Sequence, residues 1–156
     1  MKTTGFQVQM NIQSMKSRIA QRIVEVLQGV RDVQTVIFDK VKVLASDFDD
    51  TSLPVIQLID VSQSGVHEQG RVKYTWTIAL ELAMKQSVDR SVNQQDLWNL
   101  EYQVKRKLWK NPNLKIPGVI DIKFVGSETD LHLLEPYYFA RIFFEVTFYE
   151  AIVRDC

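Results

Sequence analysis

Between Gly70 and Lys85 the chain alternates without interruption. Val72, Tyr74, Trp76, Ile78, Leu80, Leu82 and Met84 form one set, and Arg71, Lys73, Thr75, Thr77, Ala79, Glu81, Ala83 and Lys85 form the other. A helix would scatter these apolar residues around its whole circumference, whereas a strand places them on one face. Seven repeats of period two therefore predict a strand with one buried face and one largely wet face. Its length adds a second constraint. Sixteen residues at about 3.3 Å each extend roughly 50 Å. A 156-residue domain has a radius of gyration near ~15 Å, hence a diameter of about 40 Å.

A second segment of the same kind closes the chain. From Tyr137 to Val153, Ala140, Ile142, Phe144, Val146 and Phe148 share one face, and Arg141, Glu145 and Thr147 lie on the other with Phe143 and Tyr149. Both long strands are expected to overrun the core or bend across it. An overhanging two-stranded arm is unstable alone and wants a partner, most simply another copy of the same chain.

Around these strands the pattern predicts two principal helices. Ile12, Met15, Ile19, Ile23, Val26, Leu27 and Val30 recur at three- and four-residue spacing, Lys16, Arg18, Arg22 and Glu25 fall opposite, and Gly29 fits a helix stop. A second helix is expected from Gln94 to Lys110, capped by Asn93, with Leu97, Leu100, Val104 and Leu108 as its core stripe. Asp96 and the cluster Lys105, Arg106, Lys107 and Lys110 suit the two ends of its dipole, and Pro112 and Pro117 end it. Shorter strands are expected at Val33 to Phe38, Val41 to Ala45, Val55 to Val61 (apolar enough to be buried on both faces) and Ile120 to Phe124. Gly126 to Asp130 is expected to be a polar loop. The order predicts one domain over 1–156. Its fold class is α+β, a mainly antiparallel twisted sheet with two long strands packed by two helices.

Composition narrows the function classes. Lys plus Arg and Asp plus Glu each number 19, a balance unlike that of a general nucleic-acid binder or a polybasic membrane clamp. No apolar run approaches the roughly 20 residues of a membrane span, and no signal peptide is expected at the start. The one cysteine, Cys156, is expected to be a reduced, incidental thiol. His67 and His132 fall in polar loop-like sequence without metal-ligand spacing. Trp98, Tyr102 and Trp109 share one helix flank and are expected to serve packing or an interface rather than base stacking.

One acidic motif could carry chemistry. Asp47-Phe48-Asp49-Asp50-Thr51 follows the apolar Val41 to Ala45 and resembles the first motif of haloacid-dehalogenase-like phosphotransferases. The resemblance implies Asp47 as nucleophile and Asp49 as acid/base beside Mg²⁺. The long antiparallel strands do not fit that family's doubly wound parallel sheet, and no later acidic pair follows a βα unit. A solvated turn rich in Asp is the simpler reading, so a Mg²⁺-dependent phosphohydrolase stands as the alternative of a different class.

The whole pattern resembles another family. An N-terminal amphipathic helix leads to Leu53-Pro54-Val55-Ile56-Gln57-Leu58 and then to the long strand with Trp76 to Met84. Asp96-Leu97 opens a helix ending in Leu108-Trp109-Lys110-Asn111-Pro112-Asn113-Leu114. Gly118-Val119-Ile120 and the final Phe143-Phe144-Glu145-Val146-Thr147-Phe148-Tyr149 complete the order. Over about Met15 to Glu150 this is similar to the tail terminator proteins of long-tailed bacteriophages. Lys115-Ile116-Pro117 and the Asp47 to Asp50 loop depart from the family pattern. The resemblance implies a hexameric ring with no catalytic, cofactor-binding or metal-binding residues. Its expected partners are the tail tube protein and a head-completion or neck protein, and DNA would pass through its lumen without specific binding. Its expected place is the virion, assembled in the host cytoplasm. Another neck or head–tail connector role in the same particle is the nearest alternative.

Overall fold

The structure, a computed structural model, describes residues 13–30, 35–37, 54–85, 90–130 and 137–152. Helix α1 spans Met15–Leu27 and strand β1 Thr35–Ile37; β2 (Val55–Glu68) and β3 (Arg71–Lys85) follow. Helix α2 is Arg90–Trp109, and the last strands are β4 (Val119–Asp130) and β5 (Tyr137–Ala151). The five strands lie in the order β1-β2-β3-β5-β4; β1 joins β2 in parallel and the other pairs are antiparallel. The fold is α+β, and the long alternating strand coincides with β3.

Both helices pack on one face of this sheet. Trp76, Ile78, Leu80 and Leu82 of β3 face them, beside Ala140, Ile142, Phe144, Val146 and Phe148 of β5. Cross-strand pairing sets large against large, Ile78 opposite Phe144 and Trp76 opposite Val146. Tyr74 stacks on Phe148 with ring centroids 5.1 Å apart, while Phe124 of β4 meets Phe144 edge-on at 5.9 Å; such aromatic pairs add to what burial alone contributes. Helix α1 supplies Ile19, Ala20, Ile23 and Leu27, and α2 supplies the expected stripe Leu97, Leu100, Val104 and Leu108.

Local chemistry fixes the ends. Ser14 Oγ accepts from the Ser17 N–H at 3.0 Å and caps α1. Gly70 takes φ +72° in the turn between β2 and β3, a conformation that favours glycine. In the link from α2 to β4, Leu114 and Lys115 both sit in the left-handed region at φ 56° and 57°. That costs roughly 1–2 kcal/mol for each residue. Full burial of the Leu114 side chain offsets it by about 1.5–3 kcal/mol. Arg22 Nε donates to the Leu114 carbonyl at 3.1 Å and holds the turn.

The structure corrects several expectations. The second face of β3 is not largely wet, since Ala79, Glu81 and Ala83 are buried along with Val55 and Gln57 of β2. Strand β2 continues to Glu68, through polar residues that β3 holds by pairing as far as Arg71. The expected loop at 126–130 is the second half of β4, paired with β5 as far as Asp130 opposite Phe139. Helix α2 begins at Arg90, so Asn93 is helical rather than a cap; packing of the core stripe carries the helix further back than its capping residue marks. Strand β5 does not overrun the core. Its helix-side face stays buried to Phe148, where the start of α1 reaches it through the Met15 N–H donating to Glu150 Oε2, while the Tyr149 N–H extends the pairing with β4 by donating to the Gly118 carbonyl. The expected strand over 33–38 is described only at Thr35–Ile37. Ile12, the segment 41–45, Asp47, Asp49, His132 and Cys156 lie outside the described residues.

Candidate assembly surface

The strand that leaves the core is β2. Its first four residues are buried, while residues 60–68 are all exposed. On its outer side β1 reaches only from Val55 to Gln57, so among the described residues the backbone edge beyond Gln57 has no neighbouring strand. A bulge at Val61, between the pairs Asp60–Ile78 and Ser62–Thr77, marks where the strand leaves the core.

Two side-chain clusters fix this half-strand. At its root Asp60 Oδ1 accepts from the Trp76 indole N–H at 2.9 Å, and Asp60 Oδ2 pairs with Lys16 Nζ at 2.9 Å. Lys16 Nζ also lies 4.8 Å from the Trp76 ring centroid. The Lys16 and Trp76 hydrogen bonds hold the Asp60 carboxyl below its ordinary 3.8, against a smaller opposing effect of burial. At the tip Arg71 bridges Glu68 at 3.2 Å and stacks 3.6 Å from the Tyr149 ring centroid. Midway, any Cβ on Gly65 would stand 3.0–3.2 Å from Val72 and Tyr74 side-chain atoms, so glycine is what lets those side chains lie against the strand.

The opposite edge of the sheet has a different character. Trp98, Tyr102 and Trp109 are each about half exposed along one flank of α2. Each is therefore packed on one side and open to solvent on the other. On neighbouring β4, Ile120 and Val125 are the extra residues of two bulges, and both are exposed. Lys105, in the basic cluster, is partly tied down: its Nζ pairs with Glu101 at 3.4 Å and lies 4.7 Å from the Phe124 ring centroid.

Across the face away from the helices runs a polar row. Gln57 pairs in register with Glu81, Glu81 with Arg141, and Arg141 with Glu128. Arg141 Nη2 and Nε donate to Glu81 Oε2 at 2.6 and 3.1 Å, and Glu128 Oε1 lies 4.0 Å from Nη1. The row is an ion-pair ladder whose carboxylates already have a cation, and it presents no free acid or base to a substrate.

Of the sequence-predicted chemical residues, Asp47, Asp49, His132 and Cys156 lie outside the described residues. His67 lies on β2 rather than in a loop, and it is exposed. Among the described residues no three His, Cys, Asp or Glu side chains are grouped to hold a metal ion, and no buried side-chain nitrogen or oxygen lacks a partner. No helix among them is long and apolar enough to cross a membrane. Sequence reasoning missed the outer half of β2 and the three bulges. The signal available for the former was the glycine turn at Gly70, which implies a partner strand running back along β3. No protein-family model matches the chain, and no curated protein matches it.

Proposed function

We propose that this protein is a structural ring-former of the tail terminator type. It caps the tail tube of a long-tailed bacteriophage, stops tube polymerisation and provides the joint to the head or neck. The observation that carries this reading is the outer half of β2, where nine consecutive residues, 60–68, are exposed and, among the described residues, have no strand on their outer side. A strand edge of this length is a hazard in a monomer and a resource in an assembly. The side chains around it are tied into ion pairs and ring contacts, as suits a joint rather than a reaction site.

The physics of the role needs no chemistry. A growing tube offers the same unsatisfied subunit edge at every layer and elongates until something occupies that edge without recreating it. A homomeric ring of matching symmetry does so with many weak contacts made at once. A net charge of zero also suits a lumen through which DNA must slide, since basic walls would hold phosphates. Particles assembled without the protein should carry tails of uncontrolled length and fail to join heads. Tails of normal length in its absence would move the protein to another position in the neck.

A further inference from the structure

Seven large apolar side chains are exposed among the described residues, and they fall into two groups. Trp98, Tyr102, Trp109, Ile120 and Val125 belong to α2 and β4, which pack against each other at one end of the sheet. Val61 and Val66 belong to β2, which beyond Gln57 forms the other end. The two groups therefore lie on opposite flanks of one molecule, and neither can cover the other within it.

The flanks are complementary in kind. The α2 and β4 side is broad and aromatic. Residues 102–120, the end of α2 and the link into β4, carry five Lys or Arg and no Asp or Glu, while Asp60 and Glu68 of β2 are already paired with Lys16 and Arg71, so the match rests on apolar side chains rather than on charge. The lengths also match: among the described residues eleven of β2, 58–68, have no strand on their outer side, against the twelve residues of β4. Bulges at Val61, Ile120 and Val125 interrupt both edges. A bulge blocks simple continuation of a hydrogen-bonded ladder and turns a side chain outward, so any joint here is built on those side chains.

Resting on the ring reading, we infer that the subunit joint is heterologous: the β2 edge of one copy, through Val61 and Val66, seats on the aromatic α2 and β4 flank of the next. A contact between two different patches leaves one of each free in a dimer, so it propagates until rotation closes it. Ring closure then follows from the placement of the two flanks, without a two-fold interface.

Two variants test this by mixing. Val61→Lys with Val66→Lys blocks the first flank; Trp98→Lys with Trp109→Lys blocks the second. All four side chains are 48–63% exposed, so each variant should keep the wild-type circular dichroism. By light scattering, the wild type should form a closed multiple of the 18.1 kDa chain and each variant alone should be monomeric. Their equimolar mixture should give a 1:1 complex at twice the monomer mass and nothing larger, because it has one intact joint. A variant that still assembles alone, or a mixture that stays monomeric, overturns the joint while a wild-type ring upholds the ring reading. A wild type that is monomeric at every concentration overturns both.

Discussion

Arg141→Met should destabilise the monomer by about 2 kcal/mol, and the size follows from where the pair sits. Glu81 is 8% exposed and receives two guanidinium hydrogen bonds on one oxygen, while 42% of the Arg141 side chain is open to water. Two unit charges near 4 Å attract by about 4 kcal/mol at an effective dielectric of ~20. Breaking a fully buried pair costs about 3–5 kcal/mol because a charge is stranded, whereas exposed pairs are worth about 0–1 kcal/mol. A half-covered pair falls between. Urea unfolding reads this directly: at a slope near ~2 kcal/mol per molar, the midpoint should fall by about 1 M. Glu81→Leu combined with Arg141→Met removes both charges and should recover all but about 1 kcal/mol, since nothing is then left unpaired. If Arg141→Met lies within about 0.5 kcal/mol of wild type, or if the double variant loses the sum of the single losses, the ladder is not the closed ion pair described.

Three further expectations follow from the same geometry. Phe144→Asp places an unpaired charge at a fully buried site and should abolish cooperative unfolding, whereas Thr75→Asp on the opposite face of the sheet should keep it; equal behaviour of the two by thermal melt would refute the assignment of faces. The Asp60 carboxyl titrates below 3.8, so its contribution is complete above that pH and is lost as pH falls through the lowered value. Asp60→Asn should cost under about 1 kcal/mol at neutral pH and should flatten the acid limb of the stability curve followed by tryptophan fluorescence; an unchanged acid limb would contradict the Lys16 and Trp76 contacts. Lys115→Gly relieves a left-handed residue and should be neutral or stabilising by up to about 0.5 kcal/mol. Lys123→Gly, within β4, should cost about 1 kcal/mol, and calorimetry that ranks the two in reverse would exclude the strained turn.

What could be read from the sequence was what burial writes into it. Alternation gave β3 and the helix-facing side of β5, and three- and four-residue spacing gave the core stripes of both helices, because each buried position demands an apolar side chain. The second half of β2 was illegible for the converse reason. Ser62, Gln63, Ser64 and Gly65 are all exposed and are held as a strand by β3, a tertiary effect with no local signature. Residues 126–130 repeat the case on β4, where polar sequence borrows its conformation from β5. Burial of Ala79 and Ala83 was hidden because alanine suits wet and dry surroundings alike, and the partner of the buried Glu81 is Arg141, 60 residues away. On the candidate surface, Trp98, Tyr102 and Trp109 could be placed on one helix flank by spacing alone. Their exposure could not, since an aromatic stripe at helical spacing is equally a core stripe until the sheet shows which side it covers.

The most direct test of the proposed terminator role is polymerisation of the tail tube protein in the presence of this protein. Tubes grown from a limiting initiator and imaged by electron microscopy should shorten as the ring is added before completion, with a ring-shaped density at the growing end and no further growth on supplying fresh tube subunits. Tubes that keep elongating at the uninhibited rate, with bare ends, at ring concentrations that saturate the available tips would contradict it.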